Sequence, residues 1–169
     1  MTHATIIFTR RPWNPISWLI RWAIPVSRFQ WARASHSMIL DGDHVIHATM
    51  THGVVRVPIA EAMRGQVEVT RRDYEVPDAE AGLAWARQQV GKDYDFKGAI
   101  GLSIKPSRQW ESDEKWFCHE LSAAVLHACG RRIFDSFGHV TDSALLLVNP
   151  GMSTHWVKGE VVRFSRGCK

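Results

Sequence analysis

Before Asp41 the chain carries no acidic residue, although that stretch holds five arginines (Arg10, Arg11, Arg21, Arg28 and Arg33) and four of the eight tryptophans. Cysteine is scarce, at three residues. No two of them form a CxxC pair, so neither a disulfide framework nor a cysteine-based zinc site follows. Cys118 and Cys129, if carried by one helix, stand about 16 Å apart at ~1.5 Å per residue, beyond the reach of a bridge. Long apolar runs are missing too. The only early one, residues 16–26, is interrupted by Arg21, falls short of the ~20 residues of a spanning helix and does not read as a signal peptide, so a cytoplasmic protein is expected. No internal repeat, low-complexity tract or linker divides residues 1–169, which are expected to form one domain with its own core. A chain that is 45% hydrophobic and 22% charged is ordinary globular material, so disorder is not expected.

Several chemical signatures are also absent. Ser37 and Ser122 lack a GxSxG context, which leaves a serine nucleophile unsupported. The run CHELSAAVLH has Ala123 where a zinc-protease helix needs its second histidine. There are nine histidines, and His36, His44, His47 and His52 lie close in sequence, but no metal or other cofactor is expected. Arginines interleave with tryptophans near the N-terminus, yet no recognised module or basic stripe appears, and nucleic-acid binding is not expected.

What is present centres on residues 116–126, WFCHELSAAVL. Leu121, Val125 and Ala128 follow Cys118 at spacings of three, four and three, which predicts an apolar helix stripe with the thiol at one end. A lone cysteine there is most often a small buried core residue. If the helix starts near Phe117, its free N–H groups and positive dipole end would favour a thiolate, and such thiols fall from ~8.5 to roughly 3.5–7.5. Ser112 is an alternative cap that would place Cys118 in the second turn.

Upstream, residues 35–49 (SHSMILDGDHVIHAT) place two strand-like runs around Asp41-Gly42-Asp43, a hairpin signal. A turn on Asp41-Gly42 sets His36 opposite His47; a turn on Gly42-Asp43 makes them diagonal neighbours. In both registers they share a face, with Met38, Leu40 and Val45, and are expected to look inward. Two inward histidines and an inward cysteine point to a nucleophile, its base and an orienting residue.

The order S-H-x-x-x-hydrophobic, a short turn, a polar residue eleven positions on, then W-F-C-x-E-L resembles the permuted NlpC-type papain-like cysteine hydrolases. That group includes the bacterial YiiX-type proteins and, more distantly, lecithin:retinol acyltransferase. The likeness spans roughly residues 16–128. It takes in the lead-in ISWLIRWAIPVSRFQWARASH, the segment VGKDYDF with Gly91, Tyr94 and Asp95, and Glu120-Leu121 after the cysteine. It implies an α+β, papain-like antiparallel sheet packed against the cysteine's helix, with Cys118 as nucleophile, His36 as base and His47 as third residue. Tyr94 and Trp31 are the substrate-contact candidates. Two positions depart from the pattern: His119 stands where many members have serine, and His47 where YiiX-type members have glutamate, although the acyltransferase branch uses histidine there. The implied activity is cleavage of an amide or an ester or thioester, in a cell-wall peptide or an acyl substrate, through an acyl-enzyme. Acyl transfer, and a catalytically silent binding module on the same fold, are the alternatives. Small peptide or acyl substrates are the expected partners, with contact between the arginine-rich N-terminal segment and anionic lipid also envisaged.

Along the rest of the chain, residues 5–9 read as a strand and 16–24 as a helix closed by Pro25. Strands are predicted over 53–59 and 66–71, with a helical turn at 60–64 between them. Asp78 is predicted to cap a helix over 79–90 whose Leu83 and Val90 face inward, with Gly91 ending it. A short helix over 95–103 and a polar loop over 105–114 follow. The last strands are predicted over 145–148 and 156–164.

Overall fold

A computed structural model describes residues 2–12, 34–95, 115–134, 140, 142–148, 151, 156–157 and 162–163. The predicted helix over 16–24, the loop over 105–114, nearly all of the helix over 95–103, Trp31 and Cys168 lie outside them.

The core element is a five-stranded antiparallel sheet in the order β4-β3-β2-β1-β5, built from β1 (Thr2–Arg10), β2 (His36–Asp41), β3 (His44–Thr49), β4 (Gly53–Pro58) and β5 (Val67–Val76). The fold class is α+β, as expected. β1 is an interior strand, buried on both faces from Ile6 to Thr9, so its TIIFT run shows no polar alternation. The β2–β3 ladder pairs Asp41 with His44, Leu40 with Val45 and Ile39 with Ile46. The two turn residues are therefore Gly42 and Asp43. Gly42 takes φ +66°, as the first central residue of a glycine-first hairpin turn does. Of the two registers open to the sequence, the diagonal one is realised.

Alternation gives the sheet two apolar faces. Ala4, Ile6, Phe8, Ile39, Ile46, Ala48, Val54, Tyr74 and Val76 join the main core. Ile7, Met38 and Val45 form a smaller cluster with Ala62 of α1 (Ile59–Ala62), flanked by Leu40 and Val57. On the main face lie α2 (Ala79–Gln88) and α3 (Cys118–Ala128). Asp78 caps α2, its carboxylate accepting from Ala81 N at 3.0 Å. The helix ends at Gln88, and Val90 is 41% exposed, not inward, because the chain has already left helical geometry by then. Gly82 lets α2 touch α3: a Cβ there would sit 2.1 Å from Cys129 Sγ.

Residues 145–148 correct the predicted strand, since α4 (Asp142–Leu147) covers most of them. A short apolar run carries no period that separates helix from strand. Residues 156–164 contain two short paired strands, β8 (Trp156–Val157) and β9 (Val162–Arg163). Two further two-residue strands, β6 (Asp93–Tyr94) and β7 (Lys115–Trp116), pair in parallel and lead into α3.

Candidate functional site

Helix α3 starts at Cys118, with Phe117 as an extended N-cap (φ −101°, ψ 153°). The later of the two possible starts is thus the observed one. Phenylalanine offers no side-chain acceptor, so the first turn is fixed by Glu120, whose Oε2 accepts from Phe117 N at 3.4 Å. At the far end Gly130, at φ +86°, closes the helix: Gly130 N donates to His127 O and Arg131 N to Leu126 O, the paired bonds of a Schellman ending. Every residue from Cys118 to Leu126 is buried. Cys118 is 3% exposed, and both it and Cys129 are free thiols.

The hairpin brings the two predicted histidines into direct contact. His36 Nε2 lies 2.8 Å from His47 Nδ1, with the rings edge-on at 67° and centroids 5.0 Å apart. A proton on one of these nitrogens must bridge to the other. His47 is buried, and burial together with the nearby Arg11 guanidinium pushes its pKa down to about 4. His36, half-buried at the start of β2, is held well below the ordinary histidine value, first by burial and then by His47, His119 and Arg11. Both imidazoles are neutral at pH 7.

As expected, His36 and His47 share the parity of Met38, Leu40 and Val45; that cluster lies on the α1 side of the sheet, whereas α3 packs on the other. Because both faces are apolar, alternation could not say which one carried the cysteine. The connection from α3 to this end of β2 runs through Ser37, of opposite parity to His36. Its Oγ donates to the Cys118 carbonyl at 3.0 Å and lies 2.9 Å from Ser122 Oγ, which itself reaches the same carbonyl at 3.1 Å. The first turn of α3 is also within electrostatic reach of His36, since His119 contributes to its lowered pKa.

Tyr94 is placed beside Cys118. β6–β7 pairing sets Tyr94 alongside Trp116, and Asp95 N donates to Trp116 O at 3.1 Å. Burial, then Cys118 and Asp95 nearby, raise the Tyr94 pKa, so its phenol stays protonated. The segment carrying it is stitched to the edge of the sheet: Val54 N donates to Lys92 O at 2.8 Å and Gly91 N to Val54 O at 2.9 Å. Gly53 is required there, because its φ is +65° and a Cβ would stand 2.1 Å from Lys92 O.

Sequence reasoning missed two neighbours of the cysteine. Ser37 was considered only as a nucleophile, though its parity with Ile39 already aimed it at the main core. His119 is wholly buried, edge-on to Phe117 at 5.0 Å between centroids, and neither of its ring nitrogens has a hydrogen-bond partner. Burial pushes its pKa to about 3. Among the described residues no cluster of histidine, cysteine and carboxylate side chains could hold a metal ion, and no helix is long and apolar enough to cross a membrane. No protein-family model matches the chain, and no curated protein or solved structure was found to match it.

Proposed function

We propose that the protein is a papain-like cysteine hydrolase that cleaves an amide, ester or thioester through an acyl-enzyme on Cys118. The observation that carries this reading is the 2.8 Å His36–His47 pair, joined by a single residue, Ser37, to the carbonyl of a cysteine that opens a helix.

The tautomers follow from the roles. For His36 to act as base through Nδ1, that nitrogen must hold the lone pair, so Nε2 carries the hydrogen and donates to His47 Nδ1. His36 Nδ1 takes the thiol proton as Cys118 Sγ attacks the carbonyl carbon and the C=O electron pair moves to oxygen. The tetrahedral oxyanion forms at the N-terminal end of α3, where the helix dipole and the Cys118 N–H favour negative charge. Collapse breaks the bond to the leaving group, which takes the proton back from His36 and leaves a thioester. Water, or another acceptor in the case of acyl transfer, gives its proton to His36 and attacks the thioester carbonyl, and Cys118 departs with the proton restored. Throughout, neutral His47 accepts from His36 Nε2–H and holds the ring plane. It carries no negative charge, so it orients the imidazolium with a dipole alone.

For the substrate, Arg11 is exposed and close enough to lower both histidines. It favours an acyl or peptide substrate carrying an anionic group, and anionic lipid is a candidate partner on the same grounds. The test is intact-mass detection of acylation with a panel of peptide, lipid and thioester substrates. A transient adduct on Cys118, absent from Cys118→Ser and His36→Ala, is expected. Adducts confined to Cys129, or none with any substrate, would remove the reading.

A further inference from the structure

Helix α3 is registered on β2 by a polar contact as well as by apolar packing. That contact comes from Ser37, which is wholly buried, adjacent in sequence to His36, and bonded to the backbone of Cys118. We propose that Ser37 is the positioning residue that sets the distance and angle between Cys118 and His36, an inference that rests on the acyl-enzyme reading above.

Apolar packing holds α3 against the sheet through residues such as Ile39, Ile46, Leu121 and Val125. That packing is non-directional and tolerates small slides along the strand. A hydrogen bond to the nucleophile's own carbonyl does not. It fixes the Cys118–His119 peptide plane against the residue next to the base, so the thiol and the imidazole are located from one reference point. Ser122 belongs to the same cluster, but its bond to Cys118 O runs four residues back along α3 and involves no part of the sheet. Three contacts share two hydroxyl protons here, so either Ser37 donates to the carbonyl directly or it does so to Ser122 Oγ; both routes end on the first turn of α3. Removing the Ser37 hydroxyl leaves Ser122 on the carbonyl, so no buried acceptor is orphaned. What goes is this directional bond between sheet and helix, and a displacement of about 1 Å at a reacting pair costs on the order of 10²-fold in rate.

The test is the rate of Cys118 alkylation by iodoacetamide across pH 4.5–9, mapped by peptide mass, in the wild type, His36→Ala, Ser37→Ala, Ser37→Thr and Ser122→Ala. The wild type should show a fast limb near pH 6 that His36→Ala abolishes. Ser37→Ala should lose most of that limb, by about tenfold, a fraction of the cost of full misplacement, and rejoin the wild type near pH 9, where the thiol ionises unaided. Ser37→Thr, which keeps the hydroxyl, should recover the limb. Ser122→Ala loses a hydroxyl from the same buried cluster but leaves Ser37 Oγ the Cys118 carbonyl at 3.0 Å as its acceptor, so it should slow alkylation far less than Ser37→Ala. Thermal midpoints check that the two alanine variants are comparably stable. Equal rates for Ser37→Ala and Ser122→Ala near pH 6, or a wild-type limb in Ser37→Ala, would overturn the proposal while leaving the acyl-enzyme reading standing. A wild type without any His36-dependent limb would instead overturn that reading, and this one with it.

Discussion

The β2–β3 hairpin carries polar groups at both ends, and the two ends treat charge in opposite ways. At the turn, Asp41 is 3% exposed but sits between Arg56 (2.6 Å) and Arg87 (2.5 Å), and those bonds hold its pKa at about 2. Arg87 also reaches Glu80 at 2.6 Å, so the last turn of α2 is tied to the hairpin by ion pairs at every step. At the other end His47 and, from α3, His119 are buried and His36 is half-buried, with no carboxylate among the causes of their shifts, and all three are driven neutral. A buried charge that is fully paired fixes geometry and resists titration. Buried bases without a counter-charge cost stability and stay neutral until a negative charge, such as a thiolate, forms beside them. The first arrangement suits a brace; the second suits a site where protons move.

The largest expected contrast is in activity. His36→Ala should lower Cys118 acylation by about 10²- to 10⁴-fold, the span of a general base. His47→Gln, which keeps an acceptor for His36 Nε2–H, should retain measurable activity, and Asp41→Asn at the other end should keep nearly all of it. Turnover or single-turnover acylation, measured side by side, decides this. Equal and complete loss in the His36 and His47 variants would show that His47 does more than orient, and an inactive Asp41→Asn would erase the distinction between the two ends.

The next contrast is in pH. The unfolded chain titrates histidine near 6.5, whereas His47 and His119 titrate in the fold at about 4 and about 3, and His36 well below 6.5. Between those values the unfolded chain binds more protons, so this contribution is complete above about pH 6.5 and is lost as pH falls below it. His47 and His119 each add a slope of about 1.4 kcal/mol per pH unit near pH 5, and His36 acts in the same direction. Asp41 acts in the same direction but in a lower window: its contribution is present above the unfolded value of 3.8 and disappears as pH falls through about 2. Urea midpoints from pH 7.5 to 4.5 should therefore fall steeply in the wild type. They should fall equally steeply in Asp41→Ala, displaced downward by about 2 kcal/mol for the lost pairing of partly exposed guanidiniums. A wild-type midpoint that is flat over this range would contradict the buried, neutral state of the histidine end.

Part of the fold and half of the site were legible in the sequence, because local chemistry encoded them. Asp78 as a cap and glycine in the hairpin turn each depend on a few neighbouring residues, whereas the sequence left two starts open for the cysteine's helix. The shared face of His36 and His47 followed from period two alone. Other features depended on tertiary packing. The choice of face for the histidines could not be read because β2 is apolar on both sides, and α4 could not be told from a strand because its apolar run shows no period. The sequence also does not show that burial moves His47 from the ordinary histidine value near 6.5 to about 4. Nor does any pattern announce that Asp41 will meet Arg87, forty-six residues on.

The smallest expected effect sharpens the comparison most, because it concerns a group that neither end needs for its hydrogen bonds. His119 follows the proposed nucleophile and is wholly buried, with two unpartnered ring nitrogens. At the turn, removing Asp41 strands partners; at His119 there are no partners to strand. An unsatisfied buried polar group costs about 1–3 kcal/mol, and leucine is close to histidine in volume and suits the contact with Phe117. His119→Leu should consequently raise the urea midpoint at pH 7 by the equivalent of about 1 kcal/mol, after allowing for imperfect packing of the new side chain. It should also remove one proton from the acid slope, about 1.4 kcal/mol per pH unit near pH 5. The two readouts are separate. A gain at pH 7 with an unchanged acid slope would mean that His119 is not the titrating group, and a loss of stability at pH 7 would mean that its nitrogens are satisfied in solution and that it belongs with the paired end of the hairpin.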